Sequence, residues 1–266
     1  MILLFYAFAR EIAPFKKRQR DRTPIAHDGL HGFRAEIAGK TFAVVGHGIG
    51  HRRATEVARR AFDSIPGAQL IIGTGVVGAL SSGLKAGDLV LSDRILTTHD
   101  DGRVEELPMA VSGEHSRAAA RSLAIAGIDY STGPILTSHR VFTTVEKRGA
   151  KGHTGAIAVD METAAIAAEA AARGIPFIAI RAVLDEVDDE VFGAEMADED
   201  GNVRPLAATS YLIRNPATML KIPRMMRNLS RATAAIADAL EAIAHDGKTP
   251  AATKRDRGPA ARKRPR

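Results

Sequence analysis

The chain has 266 residues, 45% of them hydrophobic, and contains no cysteine; its mean hydropathy is −0.07. It can bury a sizeable core. Disulfides, thiolate nucleophiles and Cys-ligated zinc are excluded, a usage that fits a cytoplasmic location, and no apolar run approaches the roughly 18 residues of a membrane span. The formal charge of +6 sits at one end. Residues 247–266 hold eight Lys/Arg and one Asp, a net of +7, while residues 1–246 hold 29 basic and 30 acidic residues, a net of −1. The pI of 9.8 therefore describes a tail, not a nucleic-acid-binding face. The tail lacks large apolar residues and is expected to be disordered. It reads as a solubilising terminus, or as a weak contact for RNA or anionic lipid.

Strands and helices alternate along residues 1–246. Ile2–Tyr6 reads as a first strand rather than a signal peptide, since no basic leader precedes it, and a helix follows from about Ala9 to Lys17. Phe33–Ile37 and Thr41–Val45 read as paired strands around Ala38-Gly39-Lys40. Gly46-His47-Gly48-Ile49-Gly50 is a turn, and Arg53–Ile65 a helix with Ala54, Val57, Ala58, Ala61 and Phe62 on one face. Leu70–Ile72 and Asp88–Ile95 are short strands, Ser116–Ala126 a helix and Ile135–Ser138 a strand. A helix over 161–173 is expected to carry Asp160 and Glu162 in its first turn; Gly174 and Pro176 stop it, and the strand 177–183 delivers Asp185 at its C-terminal end. Thr218–Ala244 closes the fold as a helix bent at Pro223. This alternation argues for a three-layer α/β/α sandwich around a mixed twisted sheet, in which ligands sit at the carboxyl ends of strands.

Gly73-Thr74-Gly75-Val76-Val77-Gly78 matches G-x-G-x-x-G, and Asp93 follows Gly73 by twenty residues, the spacing of a dinucleotide fold. A pyrophosphate needs a helix N-terminus after the glycines. Here Ala79-Leu80-Ser81-Ser82-Gly83 leaves room for about one turn, so the glycines are read instead as a tight loop near a small ligand. The His27/His31 and His47/His51 pairs have helical ligand spacing, but each spans a glycine-containing stretch with no third ligand evident, so neither a metal nor an organic cofactor is expected. In the last helix an apolar stripe of Ile222, Met225, Met226, Leu229, Ile236, Leu240 and Ile243 opposes Lys221, Arg224, Arg227 and Arg231. It is either a helix docked on the core or a membrane-surface contact.

Several motifs in order resemble the purine nucleoside/uridine phosphorylase superfamily. They are Ala7-Phe8-Ala9-Arg10-Glu11 after the first strand, Gly48-Ile49-Gly50, Gly73–Gly78, Lys85-Ala86-Gly87-Asp88-Leu89-Val90, Ser138-His139-Arg140-Val141-Phe142, Val159-Asp160-Met161-Glu162 and Leu184-Asp185. Within that superfamily the chain is similar to the methylthioadenosine/S-adenosylhomocysteine nucleosidase branch across about residues 2–245. Asn215–Leu220 and the helix after it resemble the hopanoid-associated phosphorylases. The resemblance implies cleavage of the N-ribosyl bond of a 5′-substituted adenine nucleoside by a homo-oligomer, with an adenosylhopane-type nucleoside among the possible substrates.

Such a reaction needs an acid at the leaving base, an acceptor at the sugar diol and a placed nucleophile. By resemblance, Asp185 protonates the purine, Glu162 accepts hydrogen bonds from both ribose hydroxyls, Met161 packs on the sugar and Phe142 stacks on the base. Val141 and Thr143 shape the base pocket, and Thr74, Gly75 and Val76 approach the ligand. Read without the resemblance, Asp185 is equally a helix cap or ion-pair partner, Glu162 a complement to a helix dipole, and Met161 and Phe142 core residues. The nucleophile end departs from the pattern. Arg10 aligns with the glutamate that activates water, and Glu11 lies beside it. Either Glu11 serves as the base, or Arg10 binds phosphate and the reaction is phosphorolysis. A protein that binds nucleosides without cleaving them is the third reading.

Overall fold

The computed structural model describes residues 1–99, 101–108, 110–190, 214–215 and 218–247. Ten strands form one mixed sheet: β1 (Ile2–Tyr6), β2 (Arg22–Ile25), β3 (His31–Ile37), β4 (Lys40–Gly46), β5 (Leu70–Ala79), β6 (Leu89–Thr98), β7 (Val104–Glu106), β8 (Tyr130–Thr137), β9 (Ala158–Asp160) and β10 (Phe177–Asp185). The spatial order is β10-β6-β8-β9-β5-β1-β4-β3-β2, with β7 against β6. β10 pairs with β5 in parallel and with β6 antiparallel. Strands β5, β9, β8, β6 and β10 therefore close into a ring, and β1, β4, β3 and β2 extend from β5 as an open wing.

The helices are α1 (Ala9–Arg18), α2 (His51–Ser64), α3 (Gly113–Ile125), α4 (Thr144–Thr154), α5 (Thr163–Ala171) and α6 (Thr218–Ala244). They cover the sheet in two layers. Ala54, Val57, Ala58 and Ala61 of α2 and Ala164–Ala167 of α5 pack on Leu3, Phe5, Ile71 and Phe177 on one face. On the other, Ile12 and Phe15 of α1, Leu123 of α3 and Ile236 and Leu240 of α6 pack on Leu4, Phe42, Ile72 and Ile180. Alternate residues of β1, β5 and β10 supply both faces, as the two-residue repeat of a doubly covered strand requires. The three-layer α/β architecture with a mixed sheet is thus the one the alternation of elements implied.

Local differences have physical causes. The run Gly73–Gly78 is no loop: it lies inside β5, paired along its length with β10, and meets β1 at Gly73 and β9 at Gly78 on the other edge. Its missing side chains are used for close packing, since a Cβ on Gly73 would sit 3.0 Å from Cζ of Phe177. Asp160 ends β9, and Glu162 is the N-cap of α5, so neither lies in the helix's first turn. The edge strands β2 and β7 are largely exposed and carry little apolar alternation. Helix α4 buries one side chain of its own, Lys147, so it shows no apolar stripe. It is nevertheless capped at both ends. Thr143 and Glu146 exchange hydrogen bonds as a capping box, and Gly155 at φ 72° donates its N–H to Lys151 O at 2.8 Å.

α6 runs without interruption through Pro223. Its C-terminal half is buried through Ile236, Leu240 and Ile243, whereas Met226 nearer its start is exposed. Residues 248–266, nearly all of the basic tail, and residues 216–217 of the Asn215–Leu220 segment lie outside the described residues.

Candidate active site

A cavity of about 160 Å³ opens where β1, β5, β9 and β10 end, and its wall includes Glu11, Val76, Phe142, Lys147, Glu162 and Asp185. Ala7, Phe8, Val141, Asp160 and Met161 complete much of the rest. Acids separated by up to 174 positions in sequence share this small space: β1 and β10, both parallel to β5, lead to Glu11 and Asp185 from their carboxyl ends, and β9, antiparallel to β5, brings in Asp160 and Glu162.

Glu11 is 1% exposed. Its Oε2 accepts the N–H groups of Ala7 at 2.7 Å and Phe8 at 3.2 Å. Its Oε1 accepts the N–H of Val76 at 2.9 Å. Burial pushes its pKa up, while these N–H groups and the nearby Arg181 pull against the shift. Arg10 points elsewhere: it is exposed and is not part of the cavity wall. Successive helical residues point about 100° apart, and it is Glu11 that faces the cavity.

Gly75 makes this arrangement possible. Its φ is 135°, and a Cβ there would lie 2.6 Å from both Oε1 of Glu11 and Nη1 of Arg181. Its contribution, like that of Val76, is backbone. Thr74 is wholly buried and outside the cavity wall; its carbonyl accepts a bond from Nη1 of Arg181 at 2.5 Å.

Arg181, which the sequence reading passed over, is the fully buried cation beneath the acids. It pairs with Asp160 at 3.1 Å and donates to Oγ1 of Thr163 from Nε at 3.0 Å and from Nη2 at 2.6 Å. Asp160 also accepts the Oγ1–H of Thr137 at 2.8 Å and the N–H groups of Glu162 and Thr163 at 3.3 and 3.2 Å. Asp160 is thus saturated by structural partners and holds the start of α5 in place. Glu162 is presented by that cap, and its Oε1 accepts the N–H of Gly50 at 2.7 Å. Burial, followed by the charge of Asp160, raises the Glu162 pKa far above the carboxylate range. A buried acid with acceptor capacity suits a sugar diol, whose hydroxyls would share its proton and its lone pairs.

Asp185 ends β10 after a register shift between Val183 and Asp185. Its side chain is 18% exposed. Burial raises its pKa, and the ammonium of Lys147 in contact with Oδ2 opposes that rise. Phe142 and Met161 line the cavity as expected, and the Arg140 guanidinium lies 5.7 Å from the centre of the Phe142 ring. Val141 lines it too, at 37% exposure. Thr143 does not: its hydroxyl is committed to Glu146 of the α4 cap. His47 and His51 are not a pair of ligands on a helix face. His47 is buried in the turn after β4, where burial and then Arg181 push its pKa down to about 3, and His51 stacks on His139 at 4.8 Å between ring centres.

The mixed α/β sheet places Glu11, Glu162 and Asp185 on the wall of one cavity beside Phe142, and the relatives of this chain make it a nucleoside-cleaving enzyme, a nucleosidase or a nucleoside phosphorylase. The chain belongs to the phosphorylase superfamily, whose sequence profile matches residues 2–211. It is 26% identical over 224 residues to a 5′-methylthioadenosine/S-adenosylhomocysteine nucleosidase from Haemophilus influenzae, covering 76% of this chain and 91% of that protein. The corresponding enzyme of Staphylococcus haemolyticus is 24% identical over 221 residues, covering 76% and 96%. Among solved structures, the Neisseria meningitidis 5′-methylthioadenosine/S-adenosylhomocysteine nucleosidase in complex with methylthio-immucillin-A superposes with a TM-score of 0.70 at 24% identity, covering 92% of this chain and 98% of that one. The futalosine hydrolase of Helicobacter pylori gives 0.67 at 18% identity, covering 90% and 97%. These two structures share the fold.

Proposed function

We propose that the protein hydrolyses the N-ribosyl bond of a 5′-substituted adenine nucleoside of the methylthioadenosine/S-adenosylhomocysteine type. The observation that carries this reading is the placement of Glu11, Glu162 and Asp185, from three distant parts of the sequence, on the wall of one cavity. Asp185 gives its proton to the purine, so that the base leaves neutral. Glu162 holds the ribose hydroxyls beside the positive charge that grows on the sugar. Glu11, held by three backbone N–H groups, takes a proton from the attacking water. Phe142 offers its ring to the base. The exposure of Arg10 removes the cation on which phosphorolysis rested, so hydrolysis is favoured. The nucleosidases matched along most of this chain support the same substrate class, and no cofactor enters the scheme.

The test is to incubate the purified protein with methylthioadenosine, S-adenosylhomocysteine, adenosine and inosine, with and without phosphate, and to follow free base. Adenine release that is independent of phosphate and greatest for the 5′-thio nucleosides is expected. Release only with phosphate would make the enzyme a phosphorylase, and release from none would overturn the reading.

A further inference from the structure

We propose that Lys147 is a positioning residue for the acid: its ammonium receives the negative charge that Asp185 acquires on giving its proton to the leaving base. This rests on the hydrolytic reading above and extends it to a residue from an element, α4, outside the motifs that define the site.

Lys147 is 1% exposed. Lysine is almost never sealed inside a fold without a partner. Here the ammonium contacts Oδ2 of Asp185 and donates to the carbonyls of Glu186 at 3.0 Å and Asp189 at 3.1 Å. Those three acceptors use all three of its protons, so the charge is fixed in place. The surroundings are shaped for the pair. α4 is locked by its capping box, and at Gly78 of β5 a Cβ would come within 2.9 Å of Oδ2 of Asp185 and 3.4 Å of Cε of Lys147. Both side chains also line the cavity.

Among the described residues, the other charged groups around Asp185 are committed elsewhere or carry the same sign. Asp189 pairs with Arg224 of α6 at 2.8 Å. Glu186 pairs with Lys85 at 2.9 Å, and Asp188 with Arg148 of α4 at 2.9 Å. Arg140, on the cavity wall, pairs with Glu146. Glu11, Asp160 and Glu162 are further carboxyl groups on the wall, and Arg181 is held by Asp160. Among the described residues, Lys147 is the cation in contact with the acid. In the step itself, the bond between C1′ and the base nitrogen breaks with its electron pair going to the base. The Asp185 proton moves to the base, and the Asp185 carboxylate remains against Lys147. Water adds to C1′ and its proton goes to Glu11. Water is the single co-reactant. Burial makes Asp185 a weaker acid, and the adjoining ammonium works against that rise.

The experiment compares wild type, Lys147→Met and Lys147→Arg on two substrates: methylthioadenosine, and a 4-nitrophenyl riboside whose leaving group needs no proton. Lys147→Met is expected to lose about 10- to 100-fold in kcat on methylthioadenosine. The alkaline limb of its pH profile should move up by about one unit or more, because a buried acid without its cation holds its proton more tightly. Its rate on the nitrophenyl riboside should change less than about threefold, since no acid is required, and Lys147→Arg should recover part of the loss. In an Asp185→Asn background Lys147→Met should cost nothing further, a test of coupling that tolerates some loss of stability. Equal losses on both substrates, an unmoved pH limb, or an additive loss in the Asp185→Asn background would overturn the proposal alone. A wild type inert on both substrates would overturn the hydrolytic reading and this proposal with it.

Discussion

Replacing Gly75 with alanine tests how the nucleophile end is built. The backbone there has a φ of 135°, which costs a residue bearing a Cβ about 1–3 kcal/mol. The new methyl would also lie 2.6 Å from Nη1 of Arg181 and 2.6 Å from Oε1 of Glu11. Arg181 is held by Asp160, Thr163 and the Thr74 carbonyl, so Glu11 is the group that must yield. Turning it away strands the N–H groups of Val76, Ala7 and Phe8, at about 1 kcal/mol each where water cannot replace it. Gly75→Ala is therefore expected to lose about 3–5 kcal/mol in urea unfolding. Its kcat for adenine release should fall at least about 100-fold, as a misplaced catalytic group does. Gly149→Ala is the control. It lies within α4 with open space around its Cβ, and should be neutral or stabilising by up to about 1 kcal/mol with unchanged activity. A Gly75→Ala protein matching wild type in both assays would refute the assignment of Glu11 to the cavity.

Glu162→Gln should stabilise the ligand-free fold while lowering activity. The Glu162 pKa is raised in the fold by burial and by Asp160. The folded state therefore holds more protons than the unfolded one, and stability falls as pH rises from the usual carboxylate range through the raised value. A glutamine removes that slope, so the variant's Tm should exceed that of wild type at about pH 8 and the gap should close toward about pH 4; a gap independent of pH would contradict it. Arg181→Met should cost about 3–5 kcal/mol in chemical denaturation, because it leaves the Asp160 carboxylate buried without its cation. A loss below about 1 kcal/mol would contradict the importance of that pairing.

The alternation of strands and helices was legible because β1, β4, β10, α2 and the C-terminal half of α6 have clear apolar periods. β5 was shortened because its glycines carry no pattern; its strand state is imposed by neighbours on both edges. The exposed β2 and β7 and the three-residue β9 are set by pairing rather than composition. α4 was missed for lack of an apolar stripe, although Thr143, Glu146 and Gly155 mark both its ends. At the site, Asp185, Glu162, Met161 and Phe142 could be named from their motifs and do line the cavity. Placing Arg10 and Glu11 required the direction of a side chain in a first helical turn, and it is Glu11 that turns inward to accept the Ala7, Phe8 and Val76 N–H groups. Lys147 and Arg181 had no local signal. Lys147 lies 38 positions from Asp185, and Arg181 is read simply as one more residue of an apolar strand until Asp160 is seen beside it.

The central claim is that Asp185 and Glu11 act on the two sides of one bond. The most direct measurement is the single-turnover rate of adenine release from methylthioadenosine by Asp185→Asn and Glu11→Gln, alongside calorimetric binding of the same nucleoside. The account predicts binding within several-fold of wild type and rates lower by about 100-fold or more in each variant. Either variant turning over within a few-fold of wild type would contradict it.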